Sequence, residues 1–172
     1  NGSVTITVNA LPVINAGADV AVCQNGQITL TATGAGTNGT YSWVPSITNG
    51  TPFVPASSGS YTVTGTDVNG CINTDNLNVT VNPAQNVDAG PNQEICIGEQ
   101  VILSGSPAGT GATFLWTGGI TNGVAFTPNQ SGTYTVTSTD VNGCNSTDQV
   151  DVIVHSLPII EAGSNISGCE GD

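Results

Sequence analysis

The sequence contains no lysine and no arginine, against twelve acidic residues and a single histidine. A chain without clustered cations has nothing with which to neutralise phosphates, which excludes nucleic acid as a partner. An anionic membrane surface is disfavoured for the same reason. Trypsin-like proteases find no cleavage site either, which suits life outside a cell. Because the fixed charges are all negative, copies repel weakly at low salt and approach more easily when salt screens them. Long apolar runs are also missing, since no segment nears the ~18 residues of a membrane span. No signal peptide is present in these residues, so secretion is inferred from cysteine usage alone.

Patterns that carry chemistry are equally scarce. There is no Cys-x-x-Cys pair, and His155 stands at the end of an expected strand, where a solvated role suits it better than metal ligation. No Gly-x-Ser-x-Gly turn sits within a Ser/His/Asp order, no glycine loop cradles phosphate, and no carboxylate pair is poised for glycoside hydrolysis. A basic group to stabilise an oxyanion is lacking. The chain is therefore expected not to be an enzyme and to need no cofactor.

What the sequence does contain is a repeat. Displacing the chain by 73 positions aligns Cys23 with Cys96 and Cys169, Trp43 with Trp116, Tyr61 with Tyr134, and Cys71 with Cys144, without a gap. Thr66-Asp67-Val68-Asn69-Gly70-Cys71 recurs letter for letter from Thr139 to Cys144, and Ala16-Gly17 returns as Ala89-Gly90 and Ala162-Gly163. Such self-similarity is the signature of tandem duplication. Residues 1–10 then read as the last strand of a preceding repeat, 11–83 as the first full repeat, 84–156 as the second, and 157–172 as the start of a third.

Within a repeat, short alternating segments are separated by Gly, Asn, Pro and Ser clusters, the pattern of an all-β sandwich, and no helical period appears. The expected strands are 13–16, 19–22, 27–32, 41–44, 52–54, 60–67 and 77–81, with 60–67 the longest. Ile28, Leu30, Tyr61, Val63, Leu77, Val79 and Val81 point inward, as do Val150, Val152 and Val154 in the second copy. Asp67-Val68-Asn69-Gly70 is a hairpin turn in which Asp caps amides while Asn and Gly tolerate positive φ. Trp43 and Trp116 lie in mid-sandwich strands and read as core, not as sugar-stacking platforms. Tyr61 and Tyr134 read as core too, each placed like a tyrosine corner whose phenol bonds nearby backbone.

Asn15-Ala16-Gly17-Ala18-Asp19, the Cys before Gly26-Gln27-Ile28-Thr29-Leu30, Tyr41-Ser42-Trp43, Gly59-Ser60-Tyr61-Thr62-Val63-Thr64 and Asp67-Val68-Asn69-Gly70-Cys71 together carry a resemblance. The chain resembles, over nearly its whole length, the PKD-like and immunoglobulin-like repeats of giant Bacteroidota surface proteins. These include gliding-motility adhesins and other type IX secretion cargo. The resemblance implies tandem immunoglobulin-like (PKD-like) sandwiches of about 73 residues in a secreted adhesin, and it brings no catalytic residues with it.

Five cysteines at repeating positions read as a disulfide framework formed in an oxidising compartment. One pairing lies within repeats, Cys23 with Cys71 and Cys96 with Cys144. An immunoglobulin-like strand order favours another. It puts Cys23 and Cys71 at opposite ends of a sandwich whose 60–67 strand alone spans roughly 20 Å at ~3.3 Å per residue, whereas disulfide Cα atoms approach within about 7 Å. Cys23 is then expected to bond Cys144 across repeats, Cys71 to pair with the preceding repeat, and Cys96 and Cys169 with later ones.

Asp88, Asp140 and Asn142 are weak candidates for a Ca²⁺ site near the repeat junctions, since oxygen ligands suit that ion. Ordinary turn capping accounts for them better. Asn38, Asn49, Asn78, Asn129, Asn145 and Asn165 begin Asn-x-Ser/Thr sequons, mostly by chance in so Asn- and Thr-rich a chain. Three functions remain: a structural stalk or filament module, an adhesive module that binds glycans or a protein through its loops, and an accessory domain of a secreted enzyme. The first is favoured by the ungapped period. Its partners would be adjacent repeats and other copies in a filament, outside the cell.

Overall fold

Threonine and valine recur at alternate positions along much of the chain, and β-branched residues favour extended backbone. The structure, a computed structural model, describes residues 2–83, 85–106, 109–163 and 165. Among them it forms strands and one short 3-10 turn, Thr117–Gly119. The chain divides into two units, Asn1–Ala84 with Val141–Cys144, and Gln85–Asp140 with Asn145–Asp172.

In the first unit the strands are β1 (Val20–Cys23), β2 (Ile28–Thr29), β3 (Thr40–Val44), β4 (Pro52–Phe53), β5 (Gly59–Thr66) and β6 (Ile72–Asn82). One sheet has the order β1-β6-β5-β3, and β2 with β4 makes the other. β5 runs antiparallel to both β3 and β6, whereas β1 lies parallel to β6, with Val20 opposite Val79 and Cys23 opposite Asn82. Upstream of β1, Asn15 bridges Thr33, just past β2. The chain therefore leaves the β2 side and joins β6 between residues 15 and 20. Gly17, at φ 95°, makes that bend, and Asn15 Oδ1 accepts its N–H at 2.8 Å. An opening segment shared between two sheets, over a core filled from both, is an immunoglobulin-like sandwich. Leu30, Trp43, Tyr61, Val63, Leu77 and Val79 are buried in that core, with Ile28 and Phe53 packed against it.

The second unit repeats the plan with β7 (Gln93–Cys96), β8 (Val101–Ile102), β9 (Thr113–Trp116), β10 (Ala125–Phe126), β11 (Gly132–Thr139) and β12 (Asn145–His155). Its sheets are β7-β12-β11-β9 and β10-β8, and β7 is again parallel to β12, with Cys96 opposite His155. Leu103, Trp116, Val136, Val150 and Val152 form its core.

Several expectations need correcting. The 13–16 strand shrinks to one bridge at Asn15, and the 27–32 strand to Ile28–Thr29. Beyond Thr29, side chains and turns take over the backbone: Asn49 Oδ1 accepts from Ala32 N, and Leu30 O accepts from Gly50 N. β6 and β12, eleven residues each, are longer than β5 and β11. Their first halves carry Asn, Thr and Asp, so no apolar alternation announces them. Tyr61 is buried against Phe53, but Tyr134 is only half-buried, against Phe126. Neither hydroxyl bonds backbone among the described residues, so no tyrosine corner forms. It is Tyr41 Oη that accepts a backbone amide, from Ala35 at 3.0 Å.

The two cores are tuned by paired changes. A Cβ on Gly65 would overlap the Ile14 side chain. In the second unit the corresponding positions hold Ser138, buried, and Val87, one carbon smaller than isoleucine. Gly65→Ser is expected to cost about 1–3 kcal/mol through overpacking. Ile14→Val in the same chain should recover most of it, as a coupling measured by urea unfolding of the four-member mutant cycle.

Candidate functional site

Along β6 the inward positions are 73, 75, 77, 79 and 81, and only the last three are apolar. The first two serve the opening segment of the repeat. Asn73 Nδ2 donates to Pro12 O at 2.9 Å, and Asp75 Oδ2 accepts from Ala16 N at 2.8 Å. Asp148 does the same for Ala89 N at 2.8 Å. The Ala16 amide, and next the Asn76 amide, hold the Asp75 carboxyl below the usual carboxylate range against a smaller opposing effect of desolvation. Asp148 is held down in the same way by Ala89 and then Gln149. Asp19 Oδ1 accepts from Asn78 N at 2.7 Å, and in the second unit the residue types exchange, Asn92 Oδ1 accepting from Asp151 N at 2.9 Å.

A second device holds each tryptophan. Asn49 Oδ1 accepts from Trp43 Nε1 at 3.1 Å and Ala32 N at 2.7 Å, while Asn49 Nδ2 donates to Ala32 O at 3.3 Å. Asn122 Oδ1 accepts from Trp116 Nε1 at 2.9 Å and Gly105 N at 2.7 Å. This explains why Ile47-Thr48-Asn49-Gly50 persists as Ile120-Thr121-Asn122-Gly123 while neighbouring loops diverge. The sequon at Asn49 is thereby committed to the core, since its amide nitrogen is engaged. No sequence pattern flagged these asparagines as partners of the tryptophans, although their retention in otherwise variable loops was visible.

The calcium candidates have other work or lie in turns. Asp88 Oδ1 accepts from Gly90 N at 2.8 Å, the role Asn15 plays one period earlier without a charge. Asp140 and Asn142 lie in the turn between β11 and β12. Among the described residues no group of three or more His, Cys, Asp or Glu is placed to hold a metal ion. His155 Nε2 lies 3.1 Å from Glu94 Oε2, with both side chains exposed, and such surface pairs contribute about 0–1 kcal/mol.

The cysteines are where the structure joins distant parts of the sequence. Cys23 is bonded to Cys144, with a Cα separation of 5.5 Å and a sequence separation of 121. The register of β1 shows why Cys71 is out of reach. Cys23 lies opposite Asn82 at one end of β6, and Cys71 precedes Ile72 at the other, about 33 Å away at ~3.3 Å per residue. The same register separates Cys96, opposite His155, from Cys144, which precedes Asn145. The pairings Cys23–Cys71 and Cys96–Cys144 are thus not those of this structure. Cys144 is 3% exposed, whereas Cys71 is half-buried with a free thiol and Cys96 is exposed with a free thiol. Cys169 lies outside the described residues.

Two consequences can be measured. Asn49→Ala leaves the indole N–H of a 3%-exposed tryptophan and the Ala32 amide without acceptors. A loss of about 2–4 kcal/mol is expected in urea unfolding, and Asn122→Ala should behave alike. For Asp75 and Asp148, the folded carboxyls titrate below the unfolded ones, so the unfolded chain takes up protons first as pH falls. Their stabilisation is complete above the ordinary carboxylate value and is lost as pH drops through the lower, folded one. Thermal melts from about pH 6 to about pH 2 should show a shallower acid loss for Asp75→Asn with Asp148→Asn than for the parent chain.

No protein-family model matches the chain, and no curated protein sequence does. Solved structures do. The chain is similar to an I-band fragment of titin at 14% identity and a TM-score of 0.38, covering 87% of this chain and 67% of that one. It is similar to the insect immune protein hemolin at 18% identity and a TM-score of 0.43, covering 84% of this chain and 47% of hemolin. It is also similar to the N-terminal Ig1-2 module of the Drosophila receptor protein tyrosine phosphatase DLAR, at 12% identity, a TM-score of 0.34, and 85% and 100% coverage. The immunoglobulin-like β-sandwich rests instead on the chain's own strand order, β1-β6-β5-β3 with β2-β4 in the first unit and β7-β12-β11-β9 with β10-β8 in the second.

Proposed function

We propose that the chain is a structural segment of a secreted, repetitive cell-surface protein, a stalk or extracellular filament module whose successive repeats are fastened by disulfides. The observation that carries this reading is the Cys23–Cys144 bond, which joins two different sequence repeats. A bond spent on cross-linking repeats gives nothing to a binding pocket. It does limit how far the chain can be drawn out. Disulfides persist in oxidising compartments, and a chain without lysine or arginine resists trypsin-like cleavage there. The resemblance to repeats of giant Bacteroidota surface adhesins, gliding-motility and type IX secretion cargo among them, supports the same placement. The partners in this reading are neighbouring repeats and other copies of the chain. No helix among the described residues is long and apolar enough to cross a membrane.

One observation favours an adhesive reading as the alternative. Once the Ile47–Gly50 loop is assigned to holding Trp43, the loops free to vary are those that do vary. Asn38-Gly39-Thr40 becomes Gly111-Ala112-Thr113, and Val44-Pro45-Ser46 becomes Thr117-Gly118-Gly119.

Pulling single molecules by their ends tests the structural reading. The oxidised chain should withhold the contour between Cys23 and Cys144, 121 residues apart, or about 400 Å at ~3.4 Å per residue, and release it on reduction. Full extension under oxidising conditions would remove the reading.

A further inference from the structure

The dipeptide Asn-Gly occurs seven times in this sequence. Asparagine is a chemically labile residue, and least protected ahead of glycine, which has no Cβ to keep its nitrogen from closing on the side-chain amide carbon before it. Closure makes two demands. The asparagine side chain must swing free, and the glycine N–H must give up its acceptor. The fold treats these demands very differently at dipeptides of the same chemistry.

At Asn49-Gly50 both are blocked. Asn49 Oδ1 is held by Trp43 Nε1 and Ala32 N, its Nδ2 by Ala32 O, and Gly50 N donates to Leu30 O at 2.8 Å. Asn122-Gly123 repeats the lock: Trp116 Nε1 and Gly105 N hold Asn122 Oδ1, and Gly123 N donates to Leu103 O at 2.8 Å. Leu30 and Leu103 are core residues, so neither lock opens without disturbing a sandwich interior. Asn25-Gly26 and Asn38-Gly39 are hindered in another way. Their asparagines are exposed, but each glycine is pressed against backbone, since a Cβ on Gly26 would overlap Cys23 O and one on Gly39 would overlap Ala35 O. Asn69-Gly70 has neither restraint. Both residues are exposed, and a Cβ on Gly70 would meet nothing within 4 Å. Among the described residues the Asn69 side chain makes one long hydrogen bond, from Nδ2 to Asp67 Oδ2 at 3.5 Å. Gly70 N donates to Asp67 O at 3.1 Å, across a turn open to water.

We propose that Asn69 is a site of spontaneous deamidation in the folded protein, and that the tryptophan clamps shield Asn49 and Asn122 from the same reaction. Gly70 N gives up its proton to solvent and bonds to Asn69 Cγ. The Cγ–Nδ2 bond breaks, and the departing nitrogen takes a proton back from solvent to leave as ammonia. One water then opens the cyclic imide. Its oxygen bonds either to Cγ, giving aspartate, or to the main-chain carbonyl carbon of residue 69, giving isoaspartate. In both cases the bond from that carbon to the imide nitrogen breaks and the nitrogen regains a proton. One water enters, one ammonia leaves, and the new acid passes its proton to the ammonia. The product sets a carboxylate where an amide faced Asp67 Oδ2, so two like charges share the turn. Each event adds a negative charge to a chain with no lysine or arginine to oppose it.

The test incubates the full chain in mildly alkaline buffer, folded and, in parallel, unfolded in concentrated urea. Digestion with an aromatic-site protease at acid pH follows, and chromatography with mass measurement separates the asparagine, aspartate and isoaspartate forms of each peptide. In the folded chain Asn69 should deamidate at least about tenfold faster than Asn49 or Asn122, because a locked site reacts only from its small open population. Asn25 and Asn38 should also be slower than Asn69. In urea the five rates should converge to within about threefold, since no site is then locked. Trp43→Phe, which keeps a ring but removes the Nε1 donor, should speed Asn49 several-fold and leave Asn122 unchanged as an internal reference. Equal folded rates at Asn69 and Asn49 would overturn the proposal. So would a difference that survives in urea, because it would then belong to the local sequence and not to the fold. An unchanged Asn49 rate in folded Trp43→Phe would overturn the shielding, and if that variant does not fold, the folded and unfolded parent chains decide alone.

Discussion

Parallel pairing of β1 with β6 decides where covalent bonds in this molecule can go. In a parallel pair the neighbouring ends are both C-terminal ends, so Cys23, which closes β1, lies beside Asn82, which closes β6. Cys71, just ahead of β6, is left at the far end of the longest strand of its sheet. The register matters as much as the direction: β1 covers only Val79–Asn82 of β6, so Cys23 stays at that end, far from the Cys71 of its own repeat. The same geometry recurs in the second unit, where Cys96 lies beside His155.

The absence of basic residues has a counterpart in how the carboxylates are used. With no lysine or arginine available, an aspartate can be stabilised only by N–H and O–H donors. Asp19, Asp67, Asp75 and Asp148 each accept at least one backbone amide. Charge-assisted bonds to backbone are stronger than neutral ones, and they hold turns and strand entries that a small core cannot reach. A sandwich of about 73 residues buries only around 60% of its unfolded surface. Side-chain clamps such as Asn49 on Trp43, and the cross-link at Cys23, therefore carry a larger share of the structure than they would in a larger domain.

Much of this was legible in the sequence. The ungapped period, the β-branched alternation, the buried tryptophans and the Asp-Val-Asn-Gly turn follow from spacing between near neighbours, and spacing is what a sequence records directly. β2 and the first half of β6 were misjudged for opposite reasons. Apolar alternation runs on through Leu30 and Ala32 although Gly50 and Asn49 take up their backbone groups, whereas the polar inward residues Asn73 and Asp75 hide the first half of β6. Tyr41, not Tyr61, supplies the phenol that bonds backbone, because reach to a loop amide depends on the local path of the chain and not on residue type.

By itself, then, the sequence determined a tandem all-β array, its core positions, its uniform negative charge and a periodic set of cysteines. Residues alone left two cysteine pairings open, and only an assumed strand order preferred one. The tertiary structure decided between them through the direction and register of β1 against β6. It alone also revealed that Asp75 holds an amide 59 positions away and that Asn49 holds Trp43. The reason is physical: strand propensity is a property of neighbours along the chain, whereas the partner of a side chain depends on which strand ends the stacked sheets bring together.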